Sequence, residues 1–232
     1  VSKEEIKQNA QEIKQRILAL FAVFGIVIFF WFSFHHNGLT LTMFAKDYTL
    51  LKLGSMELSA EIFQSINPFV VVFLTPIVMW IFTSLAKKGK EPSTPMKIGI
   101  GMGIAAFAYV VMIIASIGLP NYSEISGAPL TESARVTPWV LFAVYFILTV
   151  AELFISPLGL AFVSKVAPAH LQGLMQGCWL GATAVGNGAL FLGATMYEGT
   201  SLVATWSVFA IVCFISMGVM FGMVKWLERV AK

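Results

Sequence analysis

The chain has 232 residues, of which 58% are hydrophobic and only 12% are charged. An ordinary soluble domain carries about 25% charged residues, so too few charged side chains are present here to cover a water-facing surface. The mean hydropathy is +0.83, which indicates an integral membrane protein with the lipid bilayer as its main surroundings. The formal net charge of +3 does not favour a nucleic-acid partner.

Stretches without charged residues mark the expected membrane spans, because a helix needs about 20 apolar residues to cross the hydrocarbon core. Six such stretches follow one another, and only the fourth contains a charged residue, Glu152. Their apolar character is continuous rather than alternating, which predicts helices and not barrel strands. The predicted spans are 17–45, 62–86, 98–121, 137–164, 171–197 and 202–224.

The polar ends of the chain set the expected domain limits. Residues 1–16 are predicted to be a cytoplasmic linker or helix, 17–227 a six-helix bundle and 228–232 a cytoplasmic tail. Twelve of the 15 Lys and Arg residues fall in the segments on one side of the predicted membrane. Cytoplasmic segments carry the excess of Lys and Arg, so both termini are predicted to face the cytoplasm from the cell membrane.

An aromatic face is predicted on the first span. Trp31, Phe34, His35 and Gly38 recur at helical spacing and therefore share one side of the helix. Such a face can bind an apolar side chain or a ligand cation. It more often packs in the core or lies at the membrane interface, and the sequence leaves both interpretations open.

The second span carries two amide side chains on one face. Gln64 and Asn67 are three residues apart, directly before Pro68, so both project from the same side of the helix. Each amide offers hydrogen-bond donors and an acceptor without carrying charge. The pair is equally well explained by a binding site and by hydrogen bonding between neighbouring helices.

Glu152 is the only acidic residue well inside a predicted span. A charged residue at the bilayer centre costs about 2.5–3.5 kcal/mol on insertion scales, so Glu152 is expected to face a cavity or a partner. Ser156 lies one turn later on the same face. The alternative is a buried, hydrogen-bonded carboxyl group with a structural role.

The fifth span has two different faces. Glycines recur every fourth residue from Gly173 to Gly181, which allows another helix to approach closely. Trp179, Thr183 and Asn187 form a second stripe on another side of the helix. Taken alone, Trp179 is better explained as a core residue than as part of a binding site.

Several separated segments together resemble the proton-dependent oligopeptide transporter family of the major facilitator superfamily. The similarity is to its carboxyl-terminal six helices and covers essentially the whole chain. The segments that carry it are WFSFHHNGLT at 31–40, QSINP at 64–68, EPSTPMK at 91–97 and ELFISPLGL at 152–160. The resemblance implies an all-α fold in which these six helices form a three-plus-three inverted repeat.

The resemblance also implies a function for the residues singled out above. In such transporters the positions of Asn67 and Glu152 hold the amino group of the peptide. The positions of Trp31, Phe34, Gln64, Ser156, Trp179 and Thr183 line the pockets for its side chains. The implied activity is proton-coupled symport of di- and tripeptides, with the proton as coupling ion, no other cofactor and no enzymatic reaction.

The family's amino-terminal half carries a Glu-x-x-Glu-Arg-Phe motif and basic residues that bind the peptide carboxyl group. This chain lacks that motif. It is therefore expected to need an amino-terminal six-helix half as its partner. The alternative is a self-contained six-helix channel or scaffold, although a channel filter needs a ring of carbonyls or charges.

Overall fold

The computed structural model describes residues 3–231, whose regular secondary structure is helical apart from one short hairpin. The predicted all-α class is therefore confirmed. The described residues form nine α-helices: α1 Lys3–Phe34, α2 Thr40–Tyr48, α3 Ile62–Lys87, α4 Thr94–Ala115, α5 Tyr122–Ile125, α6 Pro138–Val166, α7 Gln172–Gly188, α8 Leu190–Gly199 and α9 Leu202–Val230. The antiparallel hairpin pairs β1 Lys52–Leu53 with β2 Met56–Glu57. Short 3-10 turns lie at His35–Asn37, Glu132–Ala134 and Ala169–Leu171.

Five helical segments are long and apolar enough to cross a membrane: Gln8–Tyr48, α3, α4, α6 and α9. The first is interrupted by the 3-10 turn His35–Asn37, where polar residues end α1 and the chain restarts as α2. Residues 3–16, predicted as a linker or helix, form the beginning of α1, and residues 1–2 lie outside the described part.

The predicted fifth span, 171–197, is divided at Ala189 into α7 with 17 residues and α8 with 10. Glycines flank Asn187 at 186 and 188, and glycine weakens a helix because it loses the most backbone entropy on ordering. α7 alone is shorter than the roughly 20 residues that a span needs. Residues 3–231 therefore do not contain six uninterrupted spanning helices, and the inverted repeat stays a prediction.

The segment before α6 binds the carboxyl-terminal end of α2. Arg135 donates from its guanidinium group to the carbonyl oxygens of Lys46 and Thr49, both at 3.2 Å. The backbone N–H of Val136 also donates to the carbonyl of Tyr48 at 2.8 Å. These bonds fix where α6 starts relative to the α1–α2 corner.

α4 lies between α6 and α9 and packs closely on both. At Gly101 a Cβ atom would lie 2.8 Å from Cβ of Phe154 and 3.0 Å from the carbonyl oxygen of Ala151. Neither of these atoms can move without the α6 backbone. Gly101 therefore sets the α4–α6 spacing at the turn of α6 that contains Glu152.

α3 lies at the edge of the bundle and packs mainly against α6. Only Phe63 and Phe82 of this helix are buried. Large apolar side chains such as Phe73 and Trp80 are 60% and 70% exposed. A membrane helix with so little burial within its own chain has its remaining surface free for lipid or for another bundle.

Substitution of Gly101 by Ala is expected to lower the melting temperature of the purified protein in detergent. The added methyl group meets α6 backbone and a Cβ atom, and overpacking of this kind costs about 1–3 kcal/mol. Gly103→Ala is the matched control, because its Cβ would crowd only the flexible Met217 side chain, with Sδ at 2.7 Å. Equal losses for the two variants would contradict the assigned role of Gly101.

Candidate functional site

Glu152 and Asn67 meet between α6 and α3. The side-chain nitrogen of Asn67 donates to Oε2 of Glu152 at 2.6 Å, and both residues are half-buried. The carboxyl group therefore faces a polar partner on the neighbouring helix, not lipid alone. A hydrogen bond to an ionised acceptor is short and about twice as strong as one between neutral groups.

A chain of hydrogen bonds fixes the orientation of the Asn67 amide. Thr149 donates its hydroxyl proton to the Tyr145 carbonyl at 2.8 Å and so can only accept from Asn67, whose nitrogen lies 3.2 Å away. Tyr145 in turn donates its hydroxyl to the carbonyl of Asn37. With the Asn67 nitrogen turned toward Glu152 and Thr149, its carbonyl oxygen is left free to accept.

Gln64 connects α3 to the corner between α1 and α2. Its side-chain nitrogen donates to the Gly38 carbonyl at 3.2 Å and to the Thr42 hydroxyl at 2.8 Å. The chain leaves the regular α1 helix at this corner, which makes carbonyl oxygens available. The two amides predicted to share a face therefore both bind other helices, while Gln64 also remains exposed.

The site forms a cleft of about 220 Å³ that opens on the surface of the chain. Its lining residues come from α1 and the turn after it, from α3 and from α6. They are Phe34, His35, Asn37, Gln64, Asn67, Tyr145 and Glu152. The cleft thus combines one carboxyl group with three amide residues, an imidazole, a phenol hydroxyl and an aromatic wall.

Trp31 packs against the aromatic residues that line the cleft. It is buried and stacks on His35 with ring centroids 4.9 Å apart, and it meets Phe34 edge to face at 5.4 Å. Nδ1 of His35 lies 3.2 Å from the Trp31 carbonyl, so it must carry a proton to donate there. The indole nitrogen of Trp31 is buried without a partner in the described part of the chain.

Four of the eight predicted site residues do not line the cleft: Trp31, Ser156, Trp179 and Thr183. Trp179 is buried between α6 and α1, where its ring lies over Gly159. It meets the ring of Phe24 edge to face, with ring centroids 6.4 Å apart. Thr183 donates to the carbonyl of Trp179 within its own helix at 3.2 Å. Ser156 is half-buried on α6, one turn after Glu152.

Four further residues line or support the site: His35, Asn37, Tyr145 and Thr149. Tyr145, Thr149 and Glu152 are spaced at i, i+4 and i+7, which puts all three on one helix face. This spacing from Glu152 would have revealed Tyr145 and Thr149. Asn37 takes part through its backbone carbonyl, so no side-chain pattern could have identified it.

The sequence of this chain is similar to those of several known proteins. A sequence model described as the POT family matches residues 1–209. The "Peptide transporter YePEPT" of Yersinia enterocolitica is 33% identical over 174 residues, which cover 75% of this chain and 32% of that protein. The "Dipeptide and tripeptide permease B" of Xenorhabdus bovienii is 28% identical over 184 residues, covering 79% and 35%. The chain thus spans about a third of the length of these relatives.

Solved structures show the same fold. A crystal structure of the peptide transporter POT in complex with sulfate superposes with a TM-score of 0.80 at 24% identity, over 94% of this chain and 42% of that one. A POT family transporter in complex with 5-aminolevulinic acid gives a TM-score of 0.75 at 19% identity, over the same shares.

Replacing Asn67 by Asp is expected to make the stability of the protein depend on pH. The new carboxyl group would lie at hydrogen-bond distance from Glu152, and two such groups share one proton because like charges repel. The variant should be most stable at acidic pH, where the shared proton is bound, and lose stability as the pH rises and the proton leaves. Melting temperatures between about pH 5 and pH 8 measure this.

Asn67→Ala is the control, because it removes the same amide without adding a charge. It should lower the melting temperature by a similar amount at every pH. If Asn67→Asp showed the same flat profile as Asn67→Ala, the two side chains would not be adjacent in the membrane.

Proposed function

The chain belongs to the POT family, and from this premise we propose that it is the carboxyl-terminal half of a proton-coupled symporter of di- and tripeptides. In this proposal Glu152 and Asn67 bind the amino group of the peptide. The relatives named as peptide transporters and permeases support the substrate class. The same membership argues against an enzymatic reaction.

One observation carries the proposal: the Glu152 carboxyl group lines a cleft without a cationic partner. The ion pairs within residues 8–231 are Arg16–Glu12, Lys52–Glu132 and Lys97–Glu91, and none includes Glu152. An ionised group withdrawn from water needs a partner of opposite charge. A peptide ammonium supplies that charge.

The geometry of the acceptors suits an ammonium group. Asn67 already holds one carboxylate oxygen of Glu152 and presents its own carbonyl oxygen beside it. An ammonium with three N–H donors can then bind the carboxylate and the amide oxygen together. A neutral donor would gain hydrogen bonds there but not the attraction between opposite charges, and an anionic group would be repelled.

The size of the cleft supports binding of one end of a peptide. Pockets that enclose a whole small ligand usually measure about 300–1,000 Å³, whereas this cleft measures about 220 Å³. We propose that a second bundle supplies the opposite wall. Phe34 lines the cleft directly, Gln64 lies at its rim, and Trp31, Ser156, Trp179 and Thr183 are proposed to shape the adjoining side-chain pockets.

Two open helix faces are proposed to receive the amino-terminal half. α3 exposes large apolar side chains along most of its length. On α7, Cβ atoms added at Gly173, Gly177 or Gly181 would meet no atom within 4 Å in the described residues. Small residues of this kind let a second helix pack closely within a membrane.

The proton is proposed as the coupling ion. A carboxyl group among membrane helices is stable when it binds a cation or a proton, and the two compete for the same oxygens. Alternation between a peptide ammonium and a proton at Glu152 would link peptide movement to proton movement. The proposed site therefore needs no further cofactor.

Both termini are proposed to face the cytoplasm from the cell membrane. The indole nitrogen of Trp226 donates to the side-chain oxygen of Gln15 at 3.4 Å, so the start of α1 and the end of α9 lie at the same end of the bundle. The excess of Lys and Arg on this side supports the cytoplasmic assignment.

Glu152→Gln is expected to reduce proton-driven uptake of a dipeptide at least tenfold in cells that express the full-length protein. The amide keeps the size of the side chain and removes the charge, and a hydrogen bond to a charged group contributes about 1.5–3 kcal/mol. Uptake of a radiolabelled dipeptide, normalised to the amount of protein in the membrane, measures the effect.

Glu198→Gln is the matched control, because Glu198 is an exposed carboxyl group at the end of α8. It should leave uptake unchanged. Undiminished uptake by the Glu152 variant at equal expression would refute the assigned role of this residue.

A further inference from the structure

A groove between α1 and α9 runs along the outside of the bundle and is almost entirely apolar. Its volume is about 530 Å³, and it is lined by Phe21, Ala22, Gly25, Ile26, Phe29, Val212, Ile215, Ser216 and Val219. The Ser216 hydroxyl, the one polar side-chain group in this lining, donates to the Val212 carbonyl of its own helix at 2.8 Å. The side chains of the groove therefore have no free hydrogen-bond donor to offer an occupant.

The same two helices form a polar cleft at the end where both termini lie. This cleft measures about 510 Å³ and is lined by Glu12, Gln15, Arg16, Trp226, Arg229 and Val230. Arg16 pairs with Glu12 at 2.8 Å, while the hydrogen bond that Arg229 donates within residues 8–231 goes to the carbonyl of Lys225, at 3.4 Å. The six lining side chains thus carry one positive charge in excess among themselves.

Arg16 also has an unused donor. Its Nε atom is buried without a hydrogen-bond partner in the described part of the chain. A buried N–H group without a partner is costly. Arg16 and Arg229 both line the polar cleft, and guanidinium groups bind phosphate oxygens, so the cleft fits an anion with several acceptor oxygens.

The polar cleft and the apolar groove are parts of one surface. On α1, residues 15, 22, 25 and 29 recur at helical spacing, as do residues 212, 216, 219 and 226 on α9. Because an α-helix rises about 1.5 Å per residue, the apolar part from Phe21 to Phe29 is about 12 Å long. One leaflet of the hydrocarbon core is about 15 Å thick, so the groove matches the depth of a single leaflet.

We propose that this surface binds an anionic phospholipid of the leaflet on the side of the termini. Its phosphodiester group lies between Arg16 and Arg229, and one acyl chain occupies the groove. The excess positive charge of the polar end favours a lipid with one net negative charge over a zwitterionic one. The bound lipid would connect α1, which carries Trp31 and Phe34, to α9.

The test is lipid titration of the delipidated full-length protein, followed by native mass spectrometry. Phosphatidylglycerol is expected to bind at least about tenfold more tightly than phosphatidylcholine with the same acyl chains. The double variant Arg16→Gln/Arg229→Gln should lose this preference. The control Lys87→Gln/Lys88→Gln removes two exposed charges outside the groove and should keep it.

A second variant tests the groove independently of charge. A side chain at position 25 enters open space, since a Cβ atom there would meet nothing within 4 Å, so Gly25→Leu should fold normally. It should weaken phosphatidylglycerol binding by filling the groove. Equal binding of the two lipids, or phosphatidylglycerol binding that neither set of variants reduces, would overturn the proposal.

A photoreactive amino acid at position 25 identifies the occupant directly in native membranes. Cross-linking to phospholipid is the expected result. Cross-linking to a segment of the same protein, or to a second copy, would show that a helix fills the groove and would also overturn the proposal.

Discussion

The hydrogen bond from Asn67 to Glu152 joins α3 to α6 over 2.6 Å, and the cleft depends on it. A carboxyl group between membrane helices must be held by donors, because lipid offers none. Thr149 aligns the Asn67 amide, so the donor points at the carboxylate and the acceptor oxygen stays free. The bond thus holds the Glu152 carboxyl group in place where it lines the cleft.

The bond between Asn67 and Glu152 also helps to hold α3 in the bundle. α3 packs mainly on α6, and its polar links are those of Asn67 and Gln64. Hydrogen bonds between membrane helices contribute only about 0.6 kcal/mol each on average, so the ring contacts of Phe63 and Phe82 with α6 must also help to hold α3. Close packing of α4 on α6 at Gly101 fixes the other side of the site. The carboxyl group is therefore carried by a helix that also packs closely on α4, and it faces a helix that packs mainly on α6.

The sequence revealed the polar side chains of the site more fully than the shape around them. Glu152 stands out because a charge in a long apolar run is expensive, and Asn67 and Gln64 because two amides three residues apart share a face. The structure joins all three to one cleft, together with Phe34. Burial of Trp179 depends on the absence of a side chain at Gly159, a contact between two helices that periodicity does not encode. The hydropathy pattern also did not predict the helix breaks at His35–Asn37 and Ala189, because histidine, asparagine and glycine interrupt a helix without adding charge.

In the proposed function, Glu152 recognises the charge of the peptide's amino group. The most direct measurement compares the affinity of a dipeptide with that of its N-acetylated form, in the full-length wild type and in the Glu152→Gln variant. If the carboxylate pairs with the ammonium, acetylation should weaken binding by at least about tenfold in the wild type and have little further effect in the variant. Equal losses on acetylation in both proteins would place the amino group elsewhere and contradict the account.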